Sequence, residues 1–137
     1  MIKAEDLRIG DIVRINENDC IKNGLIGKVT DIDSLREYKE KKGAITLNTI
    51  EDDGWYWGVW CCNIEPIPLT PEILEKNGWE RNKLVSYIYG HNIEVICTPN
   101  SECVDVTLKG DTLHRIKYVH ELQHILWALG LDANLKI

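Results

Sequence analysis

The residues His120-Glu121-Leu122-Gln123-His124 spell H-E-x-x-H, a string whose residue types and spacing match zinc-peptidase chemistry. On a helix, positions four apart share a face. Two imidazoles at 120 and 124 would then grip one zinc ion, and Glu121 would activate its water. In that reading His120 and His124 are metal ligands and Glu121 is the general base of a zinc-dependent hydrolase. A catalytic zinc also needs a third protein ligand. The extended string H-E-x-x-H-x-x-G-x-x-H calls for Gly and then His, but Trp127 and Gly130 occupy those places. Asp132 lies just past the helix end. The third ligand would therefore come from upstream, from His91, His114 or a cysteine.

The same segment reads foremost as a packing helix. Val119, Leu122, Leu126 and Leu129 recur at three and four spacing, with Ile125 alongside, which is a core-facing stripe. His120, His124 and Trp127 form the neighbouring stripe, where half-buried histidines hydrogen-bond without binding metal. The leading expectation is thus no catalytic residue and no cofactor, with zinc as the alternative. Cys97 and Cys103 flank a loop and, with His91 or His114, offer a second set of metal-ligating types. No C-x-x-C pair accompanies them, so buried thiols are expected. A structural zinc shared with His114 or Cys103, or a Cys-His nucleophilic pair, has no spacing that selects it. Asp52-Asp53 reads as turn chemistry. There is no Gly-rich phosphate loop, dinucleotide fingerprint or Ser-His-Asp spacing.

Two further groups point to binding instead of catalysis. In a strand, Trp55 and Trp57 point to one face and Tyr56 to the other. A solvent-facing tryptophan pair is a docking surface for a protein or peptide. The plainer alternative has one face in the core and the other under the second half of the chain. The run Lys39-Glu40-Lys41-Lys42 is the one candidate basic patch, against the alternative of a solvated loop.

These groups sit on elements that punctuation and periodicity outline. The chain has 137 residues, 44% hydrophobic and 28% charged, enough for one ordinary domain or two very small ones. There is no Phe, and five Trp and five Tyr supply the aromatic bulk. The net charge of −6 disfavours nucleic-acid binding, though it does not forbid a local patch. No window reaches the length of a membrane span, and charges stand at the N-terminus where a signal peptide would be apolar. No membrane association and a cytoplasmic location are expected. Five cysteines at 20, 61, 62, 97 and 103, odd in number with two adjacent, are poor material for disulfides.

Strands are expected over 11–15, 24–32, 44–50, 55–62 and 64–67, with a polar loop over 16–23 and one helical turn within 34–42. Asp52-Asp53-Gly54 is a hairpin signal. Thr70 as N-cap, Pro71 at the first helical position and Asn77-Gly78 as a stop predict a helix over 70–77. Three strands of a meander follow over 84–89, 92–98 and 103–108, separated by Gly90-His91, Pro99-Asn100 and Lys109-Gly110. The last helix is expected from about 116 to 129, ending at Gly130.

The phrases GDIVRI and GLIGKVTDI, about ten residues apart, resemble the KOW motif of SH3-like barrels over residues 8 to 67. That resemblance implies a five-stranded barrel whose end loops touch RNA or a protein partner. The opening LRIGD and the closing YVHELQ are similar to a family of small proteins carried by gut bacterial genomes, prophages and mobile elements. In that family the second histidine is often Asn and the glutamate often Gln. The resemblance therefore implies a helix that does not need zinc.

Together these readings give an α+β protein: an SH3-like β-barrel over 1–68, then helix, antiparallel meander and C-terminal helix over 69–137, sharing one core. The expected function is a non-enzymatic protein-interaction module of a prophage or mobile element. It would bind an unidentified protein partner through Trp55, Trp57, Lys39, Lys41 and Lys42. The alternatives are a zinc-dependent metallohydrolase and nucleic-acid binding through the barrel loops. Partner identity and oligomeric state are not encoded in any motif.

Overall fold

Alternating apolar residues lay down the first sheet. A computed structural model describes residues 2–17, 23–50, 54–90, 92–98 and 101–137, and the chain divides into two compact units, Met1–Ile67 and Pro68–Ile137. In the first unit, strands β1 (Ile12–Ile15), β2 (Ile26–Tyr38), β3 (Lys41–Thr49), β4 (Trp55–Trp60) and β5 (Ile64–Pro66) form one antiparallel sheet in the order β4-β3-β2-β1-β5. Single 3-10 turns, Ala4–Asp6 and Cys61–Asn63, precede β1 and β5. Every second residue faces inward. Val13, Ile15, Val29, Ile45, Leu47 and Ile64 form a buried cluster, with Tyr56 and Val59 packed against it.

The expected helical turn within 34–42 is absent. The segment is extended, forming the outer end of β2 and the start of β3, with Glu37 opposite Lys42 and Tyr38 opposite Lys41. Its apolar residues Leu35 and Tyr38 stay exposed, and ladder pairing satisfies its backbone instead. Lys39, at φ 55, turns the hairpin. The strand expected over 55–62 also stops early, because Cys61 begins a 3-10 turn. Among the described residues neither sheet closes on itself.

The second unit opens with α1 (Pro71–Lys76), built as its punctuation predicts. The Thr70 hydroxyl accepts from the Ile73 amide at 3.4 Å, Pro71 opens the helix, and Gly78 follows its end at φ 80. Strands β6 (Glu80–Lys83), β7 (Ser86–Tyr89), β8 (Ile93–Ile96), β9 (Val104–Leu108) and β10 (Asp111–Ile116) then form an antiparallel meander in the order β10-β9-β8-β7-β6. Five strands stand where three are expected. The two additional ones are the outer pair, whose charged residues carry no alternating apolar signal. Lys109-Gly110 turns β9 into β10.

The closing helix α2 (Val119–Ala128) starts three residues later than expected, since Ile116 is buried at the end of β10. Val119, Leu122 and Leu126 are buried as the stripe requires, each worth about 1.5–3 kcal/mol. Leu129 falls past the helix end and is exposed. The fold is mixed and mostly strand: two antiparallel sheets with two helices. Among the described residues no helix is long and apolar enough to cross a membrane. Asp52, Asp53, His91, Pro99, Asn100 and Cys20 lie outside the described residues, with much of the 16–23 loop.

Candidate functional site

Among the described residues each open sheet has two outer strands, and the residues on those strands decide what can add to them. Outer strand β5 carries Glu65 and Pro66. Strand β6 carries Glu80, Arg81 and Lys83, and β10 carries Asp111, His114 and Arg115. Charge and proline of this kind repel an incoming strand. Strand β4 differs, for its six residues, Trp-Tyr-Trp-Gly-Val-Trp, include no charge and no proline.

The ladder fixes how β4 presents itself. The Thr49 amide donates to the Gly54 carbonyl at 2.8 Å. The next pair, Asn48 and Trp55, is therefore a non-hydrogen-bonded one, and the backbone groups of Trp55 point to the open side. The side chains of Trp55 and Trp57 project away from the core, 55% and 78% exposed, while half-buried Tyr56 packs into it. This is the division expected from strand geometry. The two indole rings stand 6.4 Å apart at 31°, forming one shallow aromatic platform.

Between Ile45 and Leu47 the register shifts, so that Trp57 and Gly58 both oppose Thr46. Gly58 has φ +65, a conformation an L side chain rarely takes, so the bulge depends on glycine. Beyond it, the Arg36 guanidinium carbon sits 5.3 Å from the Trp60 ring centroid. By register, Asp31 and Asp33 of β2 share the outward face with Thr46, Ala44 and Trp60. Sequence reasoning missed Asp31, Asp33, Arg36 and Trp60. The alternation Asp31-Ile32-Asp33 was the available signal, since it places both carboxylates opposite the core.

The lysine run lies elsewhere. Lys39, Lys41 and Lys42 occupy the β2–β3 hairpin tip. Lys42 pairs with Glu37 at 3.6 Å, both strongly exposed, and Lys39 lies over the Tyr38 ring at 5.4 Å. Lys41 stands five ladder positions from Thr46, or about 17 Å along the strand. The tip is thus well separated from the Trp55–Trp57 platform along the ladder.

On α2 the H-E-x-x-H residues are brought together, but in specific structural roles. One Glu121 carboxylate oxygen, Oε2, accepts from the Lys117 amide at 2.7 Å and from the Tyr118 amide at 2.9 Å. It caps the helix start, where these donors have no intrahelical acceptor. His120 is 6% exposed and stacks on Tyr118 at 5.9 Å and 12°, and half-buried His124 meets its edge at 5.8 Å. Trp127 is exposed. Buried Gln123 turns to the chain beyond the helix and donates to the Ala133 carbonyl at 2.9 Å. Among the described residues no three His, Cys, Asp or Glu side chains cluster to hold a metal ion. His114 is exposed on β10, Cys97 and Cys103 are free, and His91 lies outside the described residues.

Comparison with protein-family models, with curated proteins and with solved structures found no match.

Proposed function

We propose that this protein is a non-enzymatic interaction module, of the kind carried by prophages and mobile elements. In this reading a protein partner docks on the aromatic edge strand β4. One observation carries it: among the described residues three outer strands bear charge or proline, and the fourth, outer strand β4, presents Trp55 and Trp57 to solvent. An extended partner segment gains main-chain hydrogen bonds along β4 and large apolar contact with the two indoles. The first unit is then an SH3-like barrel. The supports are the strand order β5-β1-β2-β3-β4 and the length of β2, whose first residues pair with β1 and whose remainder pairs with β3. Such a long shared strand is where a sheet turns the corner toward closure.

The lysine tip serves as a secondary contact in this reading, and exposed charges of this type steer encounter more than they hold a complex. Panning a random peptide library against the purified chain tests the proposal, with Trp55→Ala/Trp57→Ala protein as the counter-screen. Enrichment of peptides that the double variant does not retain is expected. Peptides retained equally by both proteins, or no enrichment, would overturn it.

A further inference from the structure

The outer strands differ in what they would do to a second copy of this chain. Strands β5, β6 and β10 carry the charge or proline that keeps two copies from joining edge to edge, and β4 carries neither. Antiparallel pairs alternate. From the non-hydrogen-bonded pair Asn48–Trp55 it follows that Tyr56 turns its backbone to Leu47 of β3, and that Trp57 turns outward again. Among the described residues neither Trp55 nor Trp57 meets a backbone partner on that open side.

This short edge is complementary to itself. In an antiparallel pairing about a two-fold axis, Trp55 of each copy opposes Trp57 of the other, and Tyr56 opposes Tyr56. Each Trp55–Trp57 pair then exchanges two main-chain hydrogen bonds. All four indoles fall on one face, where cross-strand aromatic pairs attract. A register one residue away would send the indoles of the two copies to opposite faces. A register two residues away leaves one tryptophan of each copy unmatched. Charge does not oppose the pairing. Trp55 shares a row with Asn48 and Lys28, while Thr46, opposite Trp57, pairs with Asp31. The two-fold axis continues the Lys28 row of one copy into the Asp31 row of the other, so no like charges meet at the seam. The two charges of a row stand about 24 Å apart, beyond a screening length of about 10 Å, so the indoles and the backbone hold the seam.

We infer that the partner of β4 is a second copy of this chain, joined β4 to β4 in a weak symmetric dimer. The inference deepens the docking proposal and rests on it. A folded strand suits the role better than a flexible peptide, because it is ordered before it binds. The contact area sets the strength. Trp55 and Trp57 are 55% and 78% exposed. At 150–250 Å² for a whole aromatic side chain they bury about 300 Å² per copy, well under the roughly 800 Å² per partner of a stable interface. The dissociation constant is therefore expected on the order of 10–100 μM.

The test takes the full chain from well below this concentration range to well above it. Sedimentation velocity is expected to show monomer passing to dimer and to nothing larger, because a two-fold contact closes on itself. Amide exchange read by nuclear magnetic resonance locates the seam. The Trp55 and Trp57 backbone N–H groups are expected to exchange about tenfold more slowly where nine-tenths of the chain is paired, while the Tyr56 N–H, bonded within the sheet, is unchanged. Trp57→Lys, which sets a charge on the edge, is expected to stay monomeric throughout with an unaltered circular dichroism spectrum. The exchange measurement on the wild type decides alone if Trp57→Lys does not fold. A dimer that persists in folded Trp57→Lys, or one that leaves the Trp55 and Trp57 amides exchanging as in the monomer, would overturn the inference. A wild-type chain that stays monomeric, yet retains library peptides through Trp55 and Trp57, would overturn the second copy as partner and leave the docking reading standing.

Discussion

Glu121 is the residue on which the two readings of the C-terminal helix part. As a peptidase base it would face a metal-bound water, whereas here it accepts two backbone amides at the helix entrance. The sequence hid this role. The usual signature puts Ser or Thr three residues before the Glu, and Tyr118 stands there instead, so the metal string was the more visible pattern. Glu121→Ala is expected to destabilise the protein by about 1 kcal/mol, read as a lower thermal midpoint. Adding a chelator is expected to leave the wild-type midpoint unchanged. A chelator-sensitive midpoint, or stoichiometric zinc that disappears in His120→Ala, would restore the metal reading.

Cys61 carries a second prediction at this scale. Burial, and then the neighbouring Cys62 thiol, push its pKa above the ordinary thiol range. The unfolded chain therefore ionises at this position first. Its contribution to stability is complete below the ordinary thiol pKa and declines as pH rises toward the folded value. Alkylation of native Cys61 by iodoacetamide is expected to lag behind that of the urea-unfolded chain throughout this window. Equal rates in the two states would contradict the assigned burial.

At the scale of elements, the sequence disclosed whatever has an apolar period and concealed whatever is charged. Helix α1 was legible because Thr70, Pro71 and Gly78 mark its ends, and β1 and β8 because short apolar runs follow the turn signals at Gly10 and Gly90. Strands β6 and β10 and the outer end of β2 were not, since Glu80–Lys83, Asp111–Arg115 and Ser34–Tyr38 are exposed and mostly polar, with Leu35 and Leu113 facing solvent. Their strand character comes from pairing with neighbours, which a local pattern cannot show. The tryptophan pair on β4 was legible by type and by face. Its position on an outer strand was not, because strand order is a property of the whole sheet.

Gly58 tests the bulge that shapes that strand. Gly58→Ala forces a side chain into a left-handed conformation and against Arg36, so a loss of about 1–2 kcal/mol is expected in urea denaturation. Arg36→Ala is expected to leave stability nearly unchanged and to alter Trp60 fluorescence. A Gly58→Ala protein as stable as wild type would remove the bulge from the description of β4.

Asn77 ties the C-terminal segment to α1. Its side chain donates to the Ile73 and Lys136 carbonyls at 2.8 and 2.7 Å and accepts from the Lys136 amide at 2.7 Å. Asn77→Ala is expected to open residues 132–137 to limited proteolysis well before the strands are cut. Unchanged cleavage would show that this contact holds nothing.

For the molecule as a whole, charge and aromatic surface both bear on the partner. The net charge of −6 opposes phosphate backbones, and the outward face of β4 and its neighbours carries Asp31 and Asp33 together with Lys28, which stands across Asn48 from Trp55. The most direct measurement follows the five tryptophan indole N–H signals in a nitrogen-15 correlation spectrum while a library-selected peptide is added. Each signal is assigned by its loss in the matching Trp→Ala variant. The Trp55 and Trp57 signals are expected to move together and saturate, while buried Trp79 and the α2 residue Trp127 stay in place. Movement of Trp127, or of the Lys39–Lys42 amides, with Trp55 and Trp57 stationary would contradict the assignment of β4 as the docking strand.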